Sequence, residues 1–187
     1  INDHQITCSA GVPTVWLALL QYLAKSGKTV PSLKRLTVGG AACPLTIIEQ
    51  FGDKYNVEVQ VAWGMTEMSP IGTYNRPVPA EDALPKEVFL ANRVKQGRPL
   101  YGVEIRIDDE DGNELPWDGK SSGSVKVRGP WVTQSYFGSE ADGADADGWF
   151  ETGDVAFFTP DGLMQITDRT KDVIKSGGEW ISSIDIE

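Results

Sequence analysis

The fold class is decided by residues 36–61, whose sequence is LTVGGAACPLTIIEQFGDKYNVEVQV. The apolar run 36–38 predicts a short buried strand that ends at a glycine pair. A helix is expected from about 44 to 55, because apolar residues recur there at helical spacing and a proline is tolerated in the first turn. Valines alternate through 57–61 and predict a second strand. Strand, helix and strand in this order imply a right-handed crossover and a parallel pair of strands.

Two loops follow the predicted strands at one edge of the sheet. Gly39-Gly40 follows the first strand, and the sequence Trp-Gly-Met-Thr-Glu at 63–67 follows the second. Parallel strands place their carboxyl ends on the same edge, where open α/β sheets bind ligands. We therefore expect a ligand site where these two loops converge.

The rest of the chain predicts another helix and then a change to β structure. A dense apolar run at 15–24, ended by Gly27, predicts the helix. Residues 77–92 are rich in proline and acid and predict a long connecting segment. Short alternating segments beyond it predict four strands. Those at 155–159 and 163–167 form a hairpin around Pro160-Asp161-Gly162, and the other two lie at 103–107 and 124–128. The predicted fold class is α/β followed by a small, mostly antiparallel β unit.

Composition and charge exclude several classes of protein. The chain is 40% hydrophobic and 24% charged, close to globular averages, which excludes long disorder. Its net charge of −10 argues against a nucleic-acid partner. No apolar run approaches the ~18 residues of a membrane span, so no transmembrane segment is expected.

The two cysteines and the chain ends carry further expectations. Cys8 and Cys43 are far apart in sequence, and we expect two buried thiols in a cytoplasmic protein. The chain begins at Ile1 without a methionine and stops at Glu187 inside a patterned segment, as expected of a piece of something longer.

The loop after the second strand offers candidate side chains, each with a plainer interpretation. Trp63 follows an alternating strand, where an aromatic is most often a core residue, although its flat face could also stack on a planar base. Thr66 and Glu67 could cap a helix. The same pair offers a hydroxyl for a phosphate oxygen and a carboxylate for Mg²⁺, which binds proteins through one or two carboxylates plus phosphate oxygens and water.

Three more positions have similar alternatives. The small residues at 39–42 form either a tight turn or a surface that admits a flat ring against bare backbone. Asp154 follows a glycine and could belong to a turn, but its carboxylate could also accept hydrogen bonds from a ribose diol. Arg169 could pair with its acidic neighbours Asp168 or Asp172.

Five motifs, taken in order and at this spacing, are far more specific than any one of them. They are Gly39-Gly40-Ala41-Ala42-Cys43-Pro44, Trp63-Gly64-Met65-Thr66-Glu67, Trp149-Phe150-Glu151-Thr152-Gly153-Asp154, Asp168-Arg169-Thr170-Lys171-Asp172 and Lys175-Ser176-Gly177-Gly178-Glu179-Trp180-Ile181-Ser182-Ser183. Together they resemble the adenylate-forming (AMP-binding) enzyme superfamily. The last motif is similar to the acyl-CoA synthetase branch, particularly medium- and long-chain fatty acid:CoA ligases.

The resemblance implies a two-step reaction. ATP and a carboxylic acid, expected to be a fatty acid, give an acyl-adenylate and pyrophosphate; CoA then displaces AMP to form the thioester. The implied cofactors are ATP or AMP and Mg²⁺, with CoA as a substrate. Two alternatives stay open: another adenylating enzyme, such as an aryl-CoA ligase or a peptide-synthetase adenylation domain, and a non-catalytic nucleotide-binding module.

The resemblance also implies a role for each matching residue. In the catalytic group, Thr66 would hold the phosphate, Glu67 would bind the metal, and Lys171 would be the hinge for a rotating C-terminal domain. The nucleotide or adenylate would contact Gly40, Ala41, Ala62, Trp63, Gly64, Thr66, Asp154, Arg169, Lys171 and Trp180. The pantetheine of CoA would lie near Ser176, Gly177 and Gly178.

The resemblance divides the chain into part of a large N-terminal domain and the start of a C-terminal domain. We expect an α/β nucleotide-binding portion, a connecting segment, a β-rich subdomain, and a hinge with the start of the C-terminal domain; their ranges are 1–76, 77–96, 97–170 and 171–187.

The sequence departs from the family pattern in several places. The family's upstream phosphate loop with its lysine, and its C-terminal catalytic lysine, are not among these residues, so the chain by itself is expected to be inactive. Trp63 stands where tyrosine is more usual and Ala62 where glycine is common, which keeps a stacking surface in a tighter pocket. An uncovered sheet edge invites pairing with another chain, so a homo-oligomer is a possible partner.

Overall fold

The structure is a computed structural model that describes residues 1–139 and 143–170, together with the backbone of 174–176 and 179–181. The chain forms two compact units. The first unit contains Ile1–Gly64 and Tyr74–Gly97; the second contains Met65–Thr73 and Arg98–Glu187. Every helix in the described residues is too short or too polar to cross a bilayer.

The first unit is built on three parallel strands with helical connections. Its elements are β1 (Cys8–Gly11), α1 (Pro13–Ser26), β2 (Arg35–Val38), α2 (Leu45–Tyr55) and β3 (Glu58–Trp63). Strand β2 lies between β1 and β3 and is parallel to both, with Val38 opposite Val61. The predicted strand–helix–strand unit with a parallel pair is therefore confirmed.

The helix limits follow from local sequence. Pro13 occupies the first turn of α1, where its missing N–H costs nothing, and Gly27 ends the helix in the left-handed conformation. Asn56 ends α2 in the same conformation. Both helices bury an apolar stripe against the sheet, and the resulting core includes Trp16, Leu20, Leu23, Leu36, Val38, Ile47, Phe51, Val59 and Val61.

The segment predicted as a connection contains helical structure. A 3₁₀ turn covers Pro79–Glu81, and α3 covers Lys86–Arg93. Arg93 is only 2% exposed, and its guanidinium donates hydrogen bonds to the side-chain and main-chain oxygens of Asn75. Apolar periodicity did not predict this helix because its most buried side chain is a cation, which is satisfied by hydrogen bonds rather than by apolar neighbours.

The second unit is mainly an antiparallel sheet. Its strands β6 (Glu104–Asp108), β7 (Gly123–Arg128), β8 (Phe150–Phe158) and β9 (Met164–Arg169) lie side by side in chain order. The predicted hairpin around Pro160-Asp161-Gly162 joins β8 to β9, and the predicted antiparallel β unit is confirmed. Shorter strands are β4 (Thr73–Asn75), which begins in this unit and ends in the first, β5 (Arg98–Pro99), and the antiparallel pair β10 (Ile174–Ser176) and β11 (Glu179–Ile181).

The expectation of two buried thiols is wrong for Cys8. Cys43 is buried, but Cys8 is exposed. Cys8 lies in β1, the edge strand of the described sheet, and the alternating half-exposed pattern of β1 shows that neither of its faces is fully covered. Local sequence cannot identify an edge strand, because edge position is a property of the assembled sheet.

Candidate functional site

The first unit presents a rim of small residues where β1, β2 and β3 end, which we call the first-unit rim: Val12, Gly39, Gly40, Ala41 and Ala62. Gly39 approaches β3 so closely that an added Cβ would lie 3.2 Å from the Ala62 carbonyl oxygen. Gly40 has φ +81°, and a Cβ there would lie 3.2 Å from Val12 Cγ1. The loop after β2 thus lies close to the end of β3, and the rim offers backbone rather than large side chains. The predicted ligand site where the two loops converge stays a prediction.

Trp63 ends β3, but its side chain is largely enclosed. The residue is 8% exposed, and the following Gly64 is half-buried. This burial agrees with the plainer interpretation of Trp63 as a core aromatic. Stacking of its ring on a base stays a prediction.

In the second unit, Thr66 and Glu67 lie in a 3₁₀ turn over Thr66–Met68. Met68 is fully buried and anchors the turn, whereas Thr66 is exposed and Glu67 is half-buried. The turn begins after Met65 without a side-chain cap. The alternative that Thr66 or Glu67 serves as a helix cap is therefore wrong, and both side chains are available for other contacts.

Glu67 is held from two sides by the loop that follows β7. The Tyr136 hydroxyl donates a hydrogen bond to Glu67 Oε1 at 2.8 Å, and the Thr133 amide donates one to the Glu67 carbonyl oxygen at 2.7 Å. Around them lies an open cleft of about 380 Å³, the Glu67 cleft, which is lined by Thr66, Glu67, Ser69, Pro130, Trp131, Val132, Thr133 and Tyr136.

Sequence reasoning did not find Tyr136. It stands 69 residues from Glu67, outside every motif that was singled out, and no local pattern connects the two. Only the folded loop brings the hydroxyl to the carboxylate.

The lining of the Glu67 cleft has the donor chemistry that a magnesium ion bound together with phosphate would need. Glu67 is the one carboxylate lining it, and hydroxyls of Thr66, Ser69 and Thr133 accompany it. The described residues contain no group of three or more metal-binding side chains, so the cleft is not an all-protein metal cage. Mg²⁺ commonly takes one or two protein carboxylates and fills its other positions with phosphate oxygens and water, and a single glutamate satisfies that requirement.

The second unit also joins Asp154 to Arg169. The two residues are opposite each other in the β8–β9 register, and Arg169 Nε lies 2.8 Å from Asp154 Oδ1. The Asp154 side chain is 6% exposed, whereas that of Arg169 is 57% exposed. Asp168 Oδ1 accepts a hydrogen bond from the backbone amide of Arg169. The plainer interpretation paired Arg169 with Asp168 or Asp172; Asp154 on the adjacent strand was not among its expected partners.

Five predicted site residues cannot be placed in this geometry. Lys171, Gly177 and Gly178 lie outside the described residues, and so does Asp172. Ser176 and Trp180 belong to β10 and β11, of which only the backbone is described.

Comparison with known proteins gives consistent relatives along the whole chain. It is 51% identical over all 187 residues to the 3-methylmercaptopropionyl-CoA ligase of Ruegeria pomeroyi, and 50% identical to the medium-chain-fatty-acid–CoA ligase of Ectopseudomonas oleovorans. These matches cover 35% and 34% of the relatives, so the chain spans about a third of their length. The solved O-succinylbenzoate CoA synthetase of Bacillus subtilis, in complex with ATP and magnesium ion, superposes with a TM-score of 0.80 at 29% identity, covering 100% of this chain and 36% of that one.

The family model for AMP-binding enzymes matches residues 1–137, which include the first-unit rim and the Glu67 cleft. That match covers the first two of the five ordered motifs, at 39–44 and 63–67, and the solved relatives share the mixed architecture of an α/β portion and an antiparallel sheet. The chain belongs to the AMP-binding enzyme family.

Proposed function

We propose that the chain is part of an ATP-dependent acyl-CoA synthetase, which activates a fatty acid as the acyl-adenylate and transfers the acyl group to CoA, releasing AMP and pyrophosphate. The observation that carries the proposal is the identity of 50% or more to CoA ligases over all 187 residues. These relatives do not favour a peptide-synthetase adenylation domain or a non-catalytic module.

In this proposal the Glu67 cleft handles the phosphates. Thr66 is exposed and can donate its hydroxyl proton to a phosphate oxygen, while Glu67 would hold Mg²⁺. When bound, the ion would neutralise charge on the phosphates. Displacement at phosphorus depends mainly on positioning and charge neutralisation, so no nucleophilic side chain is needed.

The ribose would be bound by the cross-strand pair. Asp154 is buried and acceptor-only, which suits the two hydroxyls of a ribose diol. Arg169 Nε contacts Asp154 Oδ1, and this ion pair holds the Asp154 carboxylate in one orientation. The exposed remainder of the guanidinium has further donors for ribose oxygens.

The adenine or the acyl group would lie against small residues and backbone at Gly40, Ala41, Ala62 and Gly64. The closeness of Gly39 to Ala62 and the positive φ of Gly40 support a shape that larger side chains would obstruct. Trp63 would contribute at most the small part of its surface that is not buried.

Roles for the C-terminal residues are carried by the family pattern alone. Lys171 would act as a hinge, Trp180 would lie near the nucleotide, and CoA would lie near residues 176–178. Replacing Lys171 with proline restricts the backbone, so adenylation should persist while thioester formation is lost. Equal loss of both half-reactions in a folded variant would argue against a hinge.

A second candidate acid comes from the relative in Ruegeria pomeroyi. Its name specifies a short thioether acid rather than a fatty acid, and its identity to this chain is 51% against 50% for the medium-chain enzyme. The chain is therefore almost equally similar to a ligase for each of these two acids, and only a measurement of substrate preference can distinguish them.

The test is pyrophosphate exchange by the full-length enzyme with octanoate, 3-(methylthio)propionate, benzoate and an amino acid, followed by thioester formation with CoA. Exchange with either of the first two acids and a CoA thioester as product are expected. Exchange with only the amino acid, or no exchange with any acid, would overturn the proposal.

Further parts of the proposal concern surroundings and partners. We infer a cytoplasmic location, as expected for lone cysteines, and small-molecule partners without nucleic acid, as expected from a net charge of −10. A homo-oligomer stays a prediction that sedimentation can test. The 187-residue chain by itself is predicted to give no exchange above background.

A further inference from the structure

The loop at 129–136 makes contacts with Glu67 that the family motifs did not predict. Its backbone meets the Glu67 backbone through Thr133, and its Tyr136 hydroxyl meets the carboxylate at Oε1. The loop itself is ordered by a turn in which the Val132 amide donates to the Gly129 carbonyl, and Val132 is 5% exposed. Glu67 is therefore positioned at both its backbone and its side chain by one segment.

The ring of Tyr136 is 42% exposed, and the antiparallel sheet contacts it on one side. It packs edge-on against Phe150, with ring centroids 6.2 Å apart at 61°. Phe150 is buried and begins β8, the strand that also carries Asp154. This contact restricts the ring and thereby its hydroxyl, so β8 contributes to where the hydroxyl meets the Glu67 carboxylate.

We propose that Tyr136 is a positioning residue for Glu67. Its hydroxyl donates a hydrogen bond to Glu67 Oε1, which leaves the other carboxylate oxygen for Mg²⁺ in the ATP complex. The inference rests on the proposed function, because it assumes that Glu67 is the metal ligand. It adds a residue outside the matched motifs and assigns its hydroxyl, not its ring, as the acting group.

The physical reason lies in the geometry of a single protein ligand. A half-buried glutamate side chain has several rotamers, and each rotamer carries the carboxylate to a different place. A charge-assisted hydrogen bond from a hydroxyl selects one of them before the metal arrives. Loss of such an outer contact typically lowers metal affinity or activity about 10- to 100-fold.

The experiment replaces only the hydroxyl. Tyr136→Phe keeps the ring on Phe150 and removes the bond to Glu67, whereas Tyr101→Phe is a matched control, because Tyr101 lies in the same unit and is fully exposed. Both variants are made in the full-length enzyme, and the first measurement is the Mg²⁺ concentration that gives half-maximal pyrophosphate exchange. We expect a roughly 10-fold or larger increase for Tyr136→Phe and no change for Tyr101→Phe.

A second measurement does not depend on activity. Binding of α,β-methylene-ATP, which does not react, is measured by calorimetry with saturating Mg²⁺ and with EDTA. The factor by which Mg²⁺ strengthens binding should fall about 10-fold or more in Tyr136→Phe. In a Glu67→Gln background that factor should be small already, and adding Tyr136→Phe should leave it unchanged, because the two side chains act through one contact.

The outcomes separate the inference from the proposed function. A wild-type enzyme without exchange activity contradicts the proposed function itself. An active wild type with unchanged magnesium dependence in Tyr136→Phe overturns the inference and leaves Tyr136 as a packing residue. A lower maximal rate with the same magnesium dependence overturns it too, and indicates a substrate contact instead. If Tyr136→Phe melts earlier, the calorimetric factor is compared at a temperature where circular dichroism shows both proteins folded.

Discussion

The first-unit rim and the Glu67 cleft differ in what they offer a ligand. The rim consists of backbone and small apolar residues at the ends of parallel strands, and Gly40 there has φ +81°. The cleft and its neighbouring β8–β9 pair offer charged groups: the carboxylate of Glu67, held by Tyr136, and the ion pair of Asp154 with Arg169. The α/β unit thus contributes a surface of small residues, and the antiparallel unit contributes the charged side chains.

The difference follows from strand geometry. Parallel strands end together at one edge, where turns must be tight and glycine is favoured. Antiparallel neighbours place side chains directly opposite one another, so an aspartate on one strand can meet an arginine on the next. If this division is correct, substitutions at the cleft should affect chemistry, and substitutions at the rim should affect fit and stability.

The largest effect is expected from Glu67→Gln in the full-length enzyme. The change keeps the side-chain volume but removes the negative charge that would bind Mg²⁺, so pyrophosphate exchange should fall by at least about 100-fold. The fold should survive, since Glu67 is half-buried and lies in a turn anchored by Met68. Exchange rates measured across a Mg²⁺ titration test this, with the exposed Glu114→Gln as control. Unchanged magnesium dependence would contradict the metal role.

A smaller effect is expected from Asp154→Asn. The amide loses one acceptor and the charge that faces Arg169, so the KM for ATP should rise roughly 10- to 100-fold. Glu104→Gln is the matched control, because Glu104 forms an ion pair with Arg128 in the same sheet but its side chain is 61% exposed. Initial rates against ATP concentration separate the two. Similar KM values for both variants would mean that Asp154 does not contact the nucleotide.

At the rim, Gly40→Ala should mainly disturb fit. Gly40 and Gly27 both have positive φ, so alanine at either position should lower the free energy of unfolding by about 1–2 kcal/mol. Only at Gly40 would the new Cβ also crowd a neighbour, Val12, because nothing lies within 4 Å at Gly27. Urea unfolding should show the larger loss for Gly40→Ala, and that variant alone should bind ATP a few-fold more weakly. Equal effects on both properties would contradict a shaped rim.

The smallest effect is expected from chemical labelling of Cys43, next to the first-unit rim. Cys43 follows Gly40 by three residues but is buried, and burial raises the pKa of its thiol to about 11. The thiol should therefore stay protonated, and alkylation of Cys43 by iodoacetamide should remain slow until the pH approaches 11. Cys8 is exposed and serves as the accessible reference site. Mass spectrometry of tryptic peptides follows both sites, with urea-unfolded protein as the control. Fast labelling of folded Cys43 near pH 8 would show that the chain after the rim is open.

Prediction from sequence was most successful where neighbours in the chain are also neighbours in space. The parallel pair β2 and β3, the helix between them and the hairpin of β8 and β9 all follow from periodicity and turn residues. It was least successful for α3, whose core position is filled by a hydrogen-bonded arginine.

The same distinction divides the candidate site. The motif residues Glu67, Asp154 and Arg169 could be chosen from sequence, because each stands beside a glycine turn or in an ordered family motif. Their partners could not be chosen: Arg169 has acidic neighbours in the chain, yet its guanidinium pairs with Asp154 on the adjacent strand.

The sequence by itself determined the element order, the glycine-marked rim and the family motifs, since these depend on local backbone preferences and on residue identity. Only the tertiary structure decided that Cys8 in β1 is exposed, that Arg93 is buried and that Tyr136 reaches Glu67 across 69 residues. Contacts of that kind depend on how loops and strands pack. They join residues that are far apart in the chain, and no local sequence pattern indicates which distant residues will meet.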